Sequence, residues 1–155
     1  MDRIPFTPQG YKALQKELQQ LKKVERPENI MAIEVARAHG DLSENAEFDA
    51  AKERQAFIEG RIGELGYKLA NADIIDPDDL PKTQVLFGHT VILENMDTGE
   101  GQEYQLVGPE ESDIKKKRIS VSSPLGQAII GKKPGDEVIL IAPGGKRCYE
   151  LVEIR

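Results

Sequence analysis

Two carboxylates three residues apart, Asp41 and Glu44, follow directly on Gly40 in the stretch Arg37-Ala-His-Gly-Asp-Leu-Ser-Glu-Asn-Ala-Glu-Phe48. Acids so placed can hold part of a magnesium ion, which takes one or two protein carboxylates and completes its octahedron with waters and substrate phosphate. Two carboxylates are too few for a self-sufficient centre, so chemistry of this kind is completed in trans by a second macromolecule. Asp-x-x-Glu is also the spacing of a capping box, in which Asp41 caps the following helix and Glu44 returns to the Asp41 backbone. Spacing alone leaves the two readings open. No other constellation competes. The two histidines, His39 and His89, lie far apart without a His-Glu-x-x-His spacing, and there is no phosphate-cradling loop. A self-contained enzyme is therefore not expected.

The elements around the acids form two helical patterns. Thr7 and Pro8 have the types of an N-cap and a first helical residue. Tyr11, Leu14, Leu18 and Leu21 then recur at coiled-coil spacing. The seam falters at Glu25 and Glu28, where Pro27 predicts a kink or local break. Ile30, Ile33, Val35 and Ala38 are expected to resume an apolar face that Gly40 ends. The second pattern, Phe48, Ala51, Gln55, Ile58, Ile62, Leu65, Leu69 and Ala72, is a seam with one polar member. Gly60, Gly63 and Gly66 lie off it and weaken the helix by up to about 1 kcal/mol each. A short connector makes the helices antiparallel neighbours, with arms on the order of 45 Å at 1.5 Å per residue. Such a hairpin is longer than one narrow seam requires, and it carries its acids at the tip.

Beyond the linker Asp76-Pro-Asp-Asp-Leu-Pro81 the period changes to alternation. Residues 90–94, 102–107, 118–121, 137–141 and 146–154 read as strands, with a short helix opened by Ser123-Pro124 and closed by Gly131. The expected fold is α+β: an antiparallel coiled-coil hairpin over 1–75, a linker over 76–84, and an antiparallel sheet domain with one helix over 85–155.

Charge and composition bound the partners. The chain has 155 residues, 31% charged and 39% hydrophobic, with a net charge of −6. This acidity opposes coating of nucleic acid by bulk electrostatics, so any contact is local or made through a protein. Lys115-Lys-Lys-Arg118 is the one dense basic run, and its bland reading is solvation. Cys148 is the sole cysteine, which excludes an internal disulfide. No apolar run reaches the ~18 residues of a membrane span and no signal-peptide core is present, so a cytoplasmic location without membrane association is expected.

Residues 36–47, together with Arg26-Pro-Glu28 and Glu59-Gly-Arg-Ile62, resemble the tip signature of the bacterial GreA/GreB transcript-cleavage elongation factors. Ile119-Ser-Val-Ser-Ser-Pro-Leu125 and Ile130-Gly-Lys132 resemble the family's second signature, and the similarity runs nearly end to end. The resemblance implies a coiled coil joined to a C-terminal domain of FKBP-like fold that docks at the rim of the RNA polymerase secondary channel. Asp41 and Glu44 match tip acids that help hold the second catalytic magnesium, so no cofactor is expected to be bound tightly by the free protein. Their implied role is to stimulate the polymerase's own cleavage of the RNA 3′ end in backtracked complexes, after which elongation resumes. Arg37 and Lys52 match basic positions that contact the nascent RNA 3′ end, and Ser123, Pro124 and Leu125 match the polymerase-docking region. Lys52 stands where Arg is frequent, which keeps the charge but loses bidentate phosphate geometry. The free protein is expected to be a monomer. The rival within this architecture is a non-cleaving inhibitor that plugs the channel, against which the intact acid pair argues. The rival outside it is a prolyl isomerase, which needs an aromatic-lined pocket. The second half offers only Phe87, Tyr104 and Tyr149.

Overall fold

The computed structural model describes residues 3–40 and 45–155. Asp41 and Glu44 lie outside the described residues. The chain divides into two compact units, one built on residues 11–72 and the other on 3–10 together with 73–155.

In the first unit the leading helical arm is α1 (Pro8–Gln20), a π-helical turn (Leu21–Glu25) and α2 (Arg26–Ala38), and the returning arm is α3 (Ala46–Ala70). Thr7 caps α1 as expected, its hydroxyl accepting the Gly10 N–H at 3.1 Å. The helix does not break at Pro27. A proline lacks the N–H of a normal turn and its ring crowds the carbonyl four residues back. The wider π turn accommodates this, with Arg26 N–H reaching Leu21 O five residues back.

That turn also corrects the expected seam. One extra residue in the winding advances the inward face by one position, so Asn29 rather than Glu28 follows Leu21. Ile33 and Ala36 then complete the buried set. Ile30, Val35 and Ala38, assigned to the apolar face by simple periodicity, are exposed. Ile33 alone of that quartet is buried. The seam of α3 holds as expected through Leu69, with Ala51, Ile58 and Leu65 buried and Phe48, Gln55, Ile62 and Leu69 half-buried. Ala72, expected to continue it, falls in the strand that follows the helix.

Cross-arm pairs fix the antiparallel register. Arg61 grips Glu17 at 2.7 and 3.1 Å, Arg26 grips Glu59 at 2.8 and 2.9 Å, and Arg54 pairs with Glu25. Asn29 Nδ2 donates to Ala51 O at 3.1 Å inside the seam. A buried asparagine between helices sets register at some cost in stability. Gly60, Gly63 and Gly66 have open space where a Cβ would stand, so no packing among the described residues requires them.

The second unit carries a five-stranded sheet ordered β5-β4-β3-β7-β6, from β3 (Thr90–Asn95), β4 (Gly101–Val107), β5 (Arg118–Ser120), β6 (Glu137–Ala142) and β7 (Gly145–Ile154). All pairings are antiparallel except β4 with β5. The expected α+β architecture is therefore present. Val91, Leu93, Leu106, Ile119, Val138, Tyr149 and Leu151 form its core with Ile129 of α4 (Pro124–Ile129). The register between β3 and β7 shifts after Ile92, so both Leu151 and Ile154 point inward despite their odd spacing.

One feature escaped the periodicities. The segment before α1 forms β1 (Ile4–Phe6), which pairs with β2 (Ala72–Ile74). Phe6 is 1% exposed and Thr7 2%. Glu111 receives the Thr7 N–H at 3.0 Å and also the Thr7 hydroxyl. Gly108 lies so near Pro5 that a Cβ would stand 2.7 Å from the Pro5 carbonyl oxygen.

Candidate functional site

Two places in the molecule bear on function, one in each unit. The first is the hairpin tip. Helix α2 ends as the sequence indicates: His39 N–H bonds to Ala36 O and Gly40 N–H to Arg37 O, both at 3.2 Å. Gly40 turns the chain out at φ 102°, a conformation disfavoured for residues with a Cβ.

The start of α3 is described from Asn45 onward. Its N-cap is Asn45, whose side-chain oxygen accepts the Phe48 N–H at 3.1 Å. The helix begins at Ala46. Asp41 and Glu44, whose spacing reads either as a capping box or as a metal-holding pair, lie outside the described residues. Asparagine is among the strongest N-cap residues, so the cap was legible, though the Asp-x-x-Glu spacing competed with it. Asn45 also spans the hairpin, its amide donating to Ala36 O at 2.7 Å. Beside it His39 Nε2 approaches Glu47 Oε2 at 3.7 Å, with both side chains mostly exposed. Exposed pairs at that distance contribute little.

Arg37 lies in the last turn of α2 and Lys52 in the second turn of α3, both exposed. Lys52 Nζ donates to Gln55 Oε1 at 3.2 Å. The tip thus presents basic side chains on both arms behind the segment that carries the acids. Among the described residues no group of three or more His, Cys, Asp or Glu could hold a metal ion. No described helix is long and apolar enough to cross a membrane.

The second place is an apolar groove of about 510 Å³ in the sheet unit. Ser123, Pro124 and Leu125 all line it, as do Ile119, Leu140 and Ile141. Ser123 caps α4, accepting the Gly126 N–H at 3.1 Å and donating its hydroxyl to Ser120 O at 2.6 Å. That anchorage leaves Pro124 exposed on the groove and half-buries Leu125 against the core. The helix-start and groove-lining roles of the Ser-Pro-Leu run therefore coexist.

Ile114 and Ile141, which also border the groove, are 71% and 81% exposed. Sequence reasoning missed both. The signal was present in Val138-Ile-Leu-Ile141, an apolar run longer than one face of a strand needs. The basic run sits at the same rim, with Lys115, Lys116 and Lys117 exposed and Arg118 lining the groove. The groove has no aromatic lining; Tyr149 is buried in the core and Tyr104 packs against it. That composition disfavours a prolyl-isomerase pocket.

Comparison with known proteins covers the whole chain. The family model described as "Transcription elongation factor, N-terminal" matches residues 4–74, and that described as "Transcription elongation factor, GreA/GreB, C-term" matches residues 80–155. Transcription elongation factor GreA of Hyphomonas neptunium is 54% identical over 154 residues, covering 99% of this chain and 98% of the relative. GreA of Neisseria meningitidis serogroup A is 54% identical over 156 residues, covering 100% and 99%. Among solved structures, GreA factor homolog 1 of Thermus thermophilus aligns over 99% of both chains at 29% identity, with a TM-score of 0.46.

Proposed function

This chain belongs to the GreA/GreB family of transcription elongation factors, and we propose that it rescues backtracked RNA polymerase by delivering its hairpin tip through the secondary channel. The sheet unit docks at the channel rim through the groove around Ser123, Pro124 and Leu125, an exposed apolar surface with a basic border. The hairpin carries Asp41 and Glu44 to the RNA 3′ end. The chain is no enzyme by itself; hydrolysis belongs to the polymerase.

Asp41 and Glu44 are hard oxygen donors of the kind magnesium prefers, and would share one such ion with the polymerase's carboxylates. When bound, it lowers the pKa of a water and orients it towards the phosphodiester. The chain's remaining contribution is positional. Arg37 and Lys52 neutralise RNA phosphates near the 3′ end, which offsets the cost of bringing two carboxylates close to a polyanion. The observation that supports this reading is the hairpin's end itself, where α3 takes its N-cap from Asn45 and Arg37 and Lys52 stand exposed on the two arms.

The test is RNA cleavage in an artificially backtracked elongation complex with magnesium, comparing wild type with Asp41→Asn and Glu44→Gln. Each variant should bind polymerase normally and stimulate cleavage at least about a hundredfold less, the scale of losing a charged group from a transition state. Full cleavage by both variants would remove the acids from the chemistry. Binding without cleavage by the wild type would make the protein a channel-blocking inhibitor.

A further inference from the structure

Lys115, Lys116, Lys117 and Arg118 put four cations side by side in a chain whose net charge is −6. None of the four side chains makes a hydrogen bond or an ion pair among the described residues. The loop that carries them is closed. Asp113 and Arg118 exchange two backbone hydrogen bonds, at 2.9 and 3.0 Å, and the N–H groups of Lys116 and Lys117 bond back to Asp113 O and Ile114 O. Lys117 O accepts the Gln105 N–H at 2.8 Å, which ties the loop to β4. The lysines stand exposed, whereas Arg118 is half-buried along the apolar groove. Asp113 is the one acid in the groove lining, and its Oδ1 already accepts the Lys115 N–H.

Lys117 holds a left-handed backbone, φ 59° and ψ 36°, the only residue other than glycine with a positive φ among those described. A Cβ crowds the following carbonyl in that conformation, and glycine would take the turn without the cost. A strained residue whose exposed charge has no partner in its own chain points to a side chain kept for another molecule.

We infer that this loop is the electrostatic half of the docking surface: its three lysines steer an acidic face of the polymerase towards the groove, and Arg118 pairs with a carboxylate beside the apolar contact. The inference rests on the proposed docking through the groove and deepens it by naming the charge that the partner presents. A protein partner is favoured over nucleic acid because the cations border the exposed Ile114 and Ile141. Isoleucine gains nothing against a phosphate backbone, and the chain's net negative charge repels a polyanion. The two kinds of cation act at different stages. Exposed rim charges reach about a Debye length, ~8 Å at physiological salt, and change how fast partners meet. A half-buried charge gives up its remaining water on docking, so its pairing governs how slowly they part.

The experiment measures association and dissociation rates of the full chain with RNA polymerase core enzyme free of nucleic acid, at low and at high salt. Lys115→Gln combined with Lys116→Gln should slow association about tenfold at low salt, leave dissociation within about twofold, and lose most of the salt dependence. Arg118→Gln should speed dissociation about tenfold with association little changed. Lys117→Gly should slow association about two- to threefold. Its melting temperature should stay level or rise, because relief of the left-handed strain offsets glycine's freedom in the unfolded chain. Ile141→Glu, a probe of the groove itself, should bind at least about tenfold more weakly.

Wild-type rates and salt dependence in all the cation variants, beside a weakened Ile141→Glu, would overturn the inference and leave the groove as the docking surface. Melting temperatures that fall in step with binding would make the run merely structural. A duplex DNA or RNA probe that wild type binds and the lysine variants do not, with polymerase binding untouched, would make the loop a nucleic-acid contact instead. Wild-type binding by Ile141→Glu would remove the docking reading, and this inference with it.

Discussion

The contact between Thr7 and Glu111 joins parts of the chain 104 residues apart, and its strength can be worked out and measured. The Thr7 N–H and hydroxyl both donate to the Glu111 carboxylate, and the hydroxyl oxygen accepts the Gly10 N–H. Hydrogen bonds to a charged group contribute about 1.5–3 kcal/mol each, and Thr7 is 2% exposed, so little water is at hand to replace them. Glu111 is only half-buried, which lowers the sum. Glu111→Ala should therefore cost about 2–4 kcal/mol. Thr7→Val keeps the shape of the side chain but loses the cap, about 1 kcal/mol, and the hydroxyl–carboxylate bond, for about 2–3 kcal/mol in all. The hydroxyl–carboxylate bond is common to both changes. The double variant should fall short of the additive loss by about 1–2 kcal/mol. Urea unfolding followed by circular dichroism measures all four proteins. Additivity to within about 0.5 kcal/mol would show that the two side chains do not interact, and the assignment of residues 3–10 to the sheet unit would lose its chief polar support.

His89 is completely buried, with Nδ1 accepting the Leu86 N–H at 3.0 Å and Nε2 making no hydrogen bond among the described residues. Burial holds its pKa below the ordinary histidine value and Lys82 adds to the effect, while backbone carbonyls of Leu80, Pro77 and Gln84 oppose it. A depressed base takes up its proton more readily unfolded. Its contribution to stability is thus complete above about pH 6.5 and lost as pH falls towards the folded pKa, by up to about 1.4 kcal/mol per unit. Urea midpoints at pH 7.5 and 5.5 should differ more for wild type than for His89→Gln. Gly126 sits where a Cβ would stand 2.1 Å from Ser120 O, so Gly126→Ala should cost about 1–3 kcal/mol by thermal melting and distort the groove. Asn29→Leu exchanges a buried amide for an apolar side chain in the hairpin seam. Ala51 O sits within α3 and keeps its helical bond, so urea unfolding should show a gain of about 1–2 kcal/mol.

Much of this protein was written in local chemistry. Thr7 and Pro8, the glycine after His39, the α3 seam and the alternating strands with their turns each act through neighbours a few residues away. Periods and caps therefore reveal them. The resemblance located Ser123, Pro124 and Leu125, and the fold set them along one groove with Ile114 and Ile141, residues that no local rule connects to them. The structure alone decided three further matters. The π turn before Pro27 adds one residue to the winding, and only the packing of the opposite arm shows that Asn29, Ile33 and Ala36 become the inward face. The docking of Phe6 and Thr7 into a unit that resumes at residue 73 depends on Glu111, a partner about a hundred positions away, and a periodicity carries no information over that distance. At the tip, spacing put forward Asp41 alone as a cap for the second helix, whereas the helix that begins at Ala46 is capped by Asn45. The Asn45 amide also donates to Ala36 O on the facing helix, a contact between arms that no local capping rule foretells.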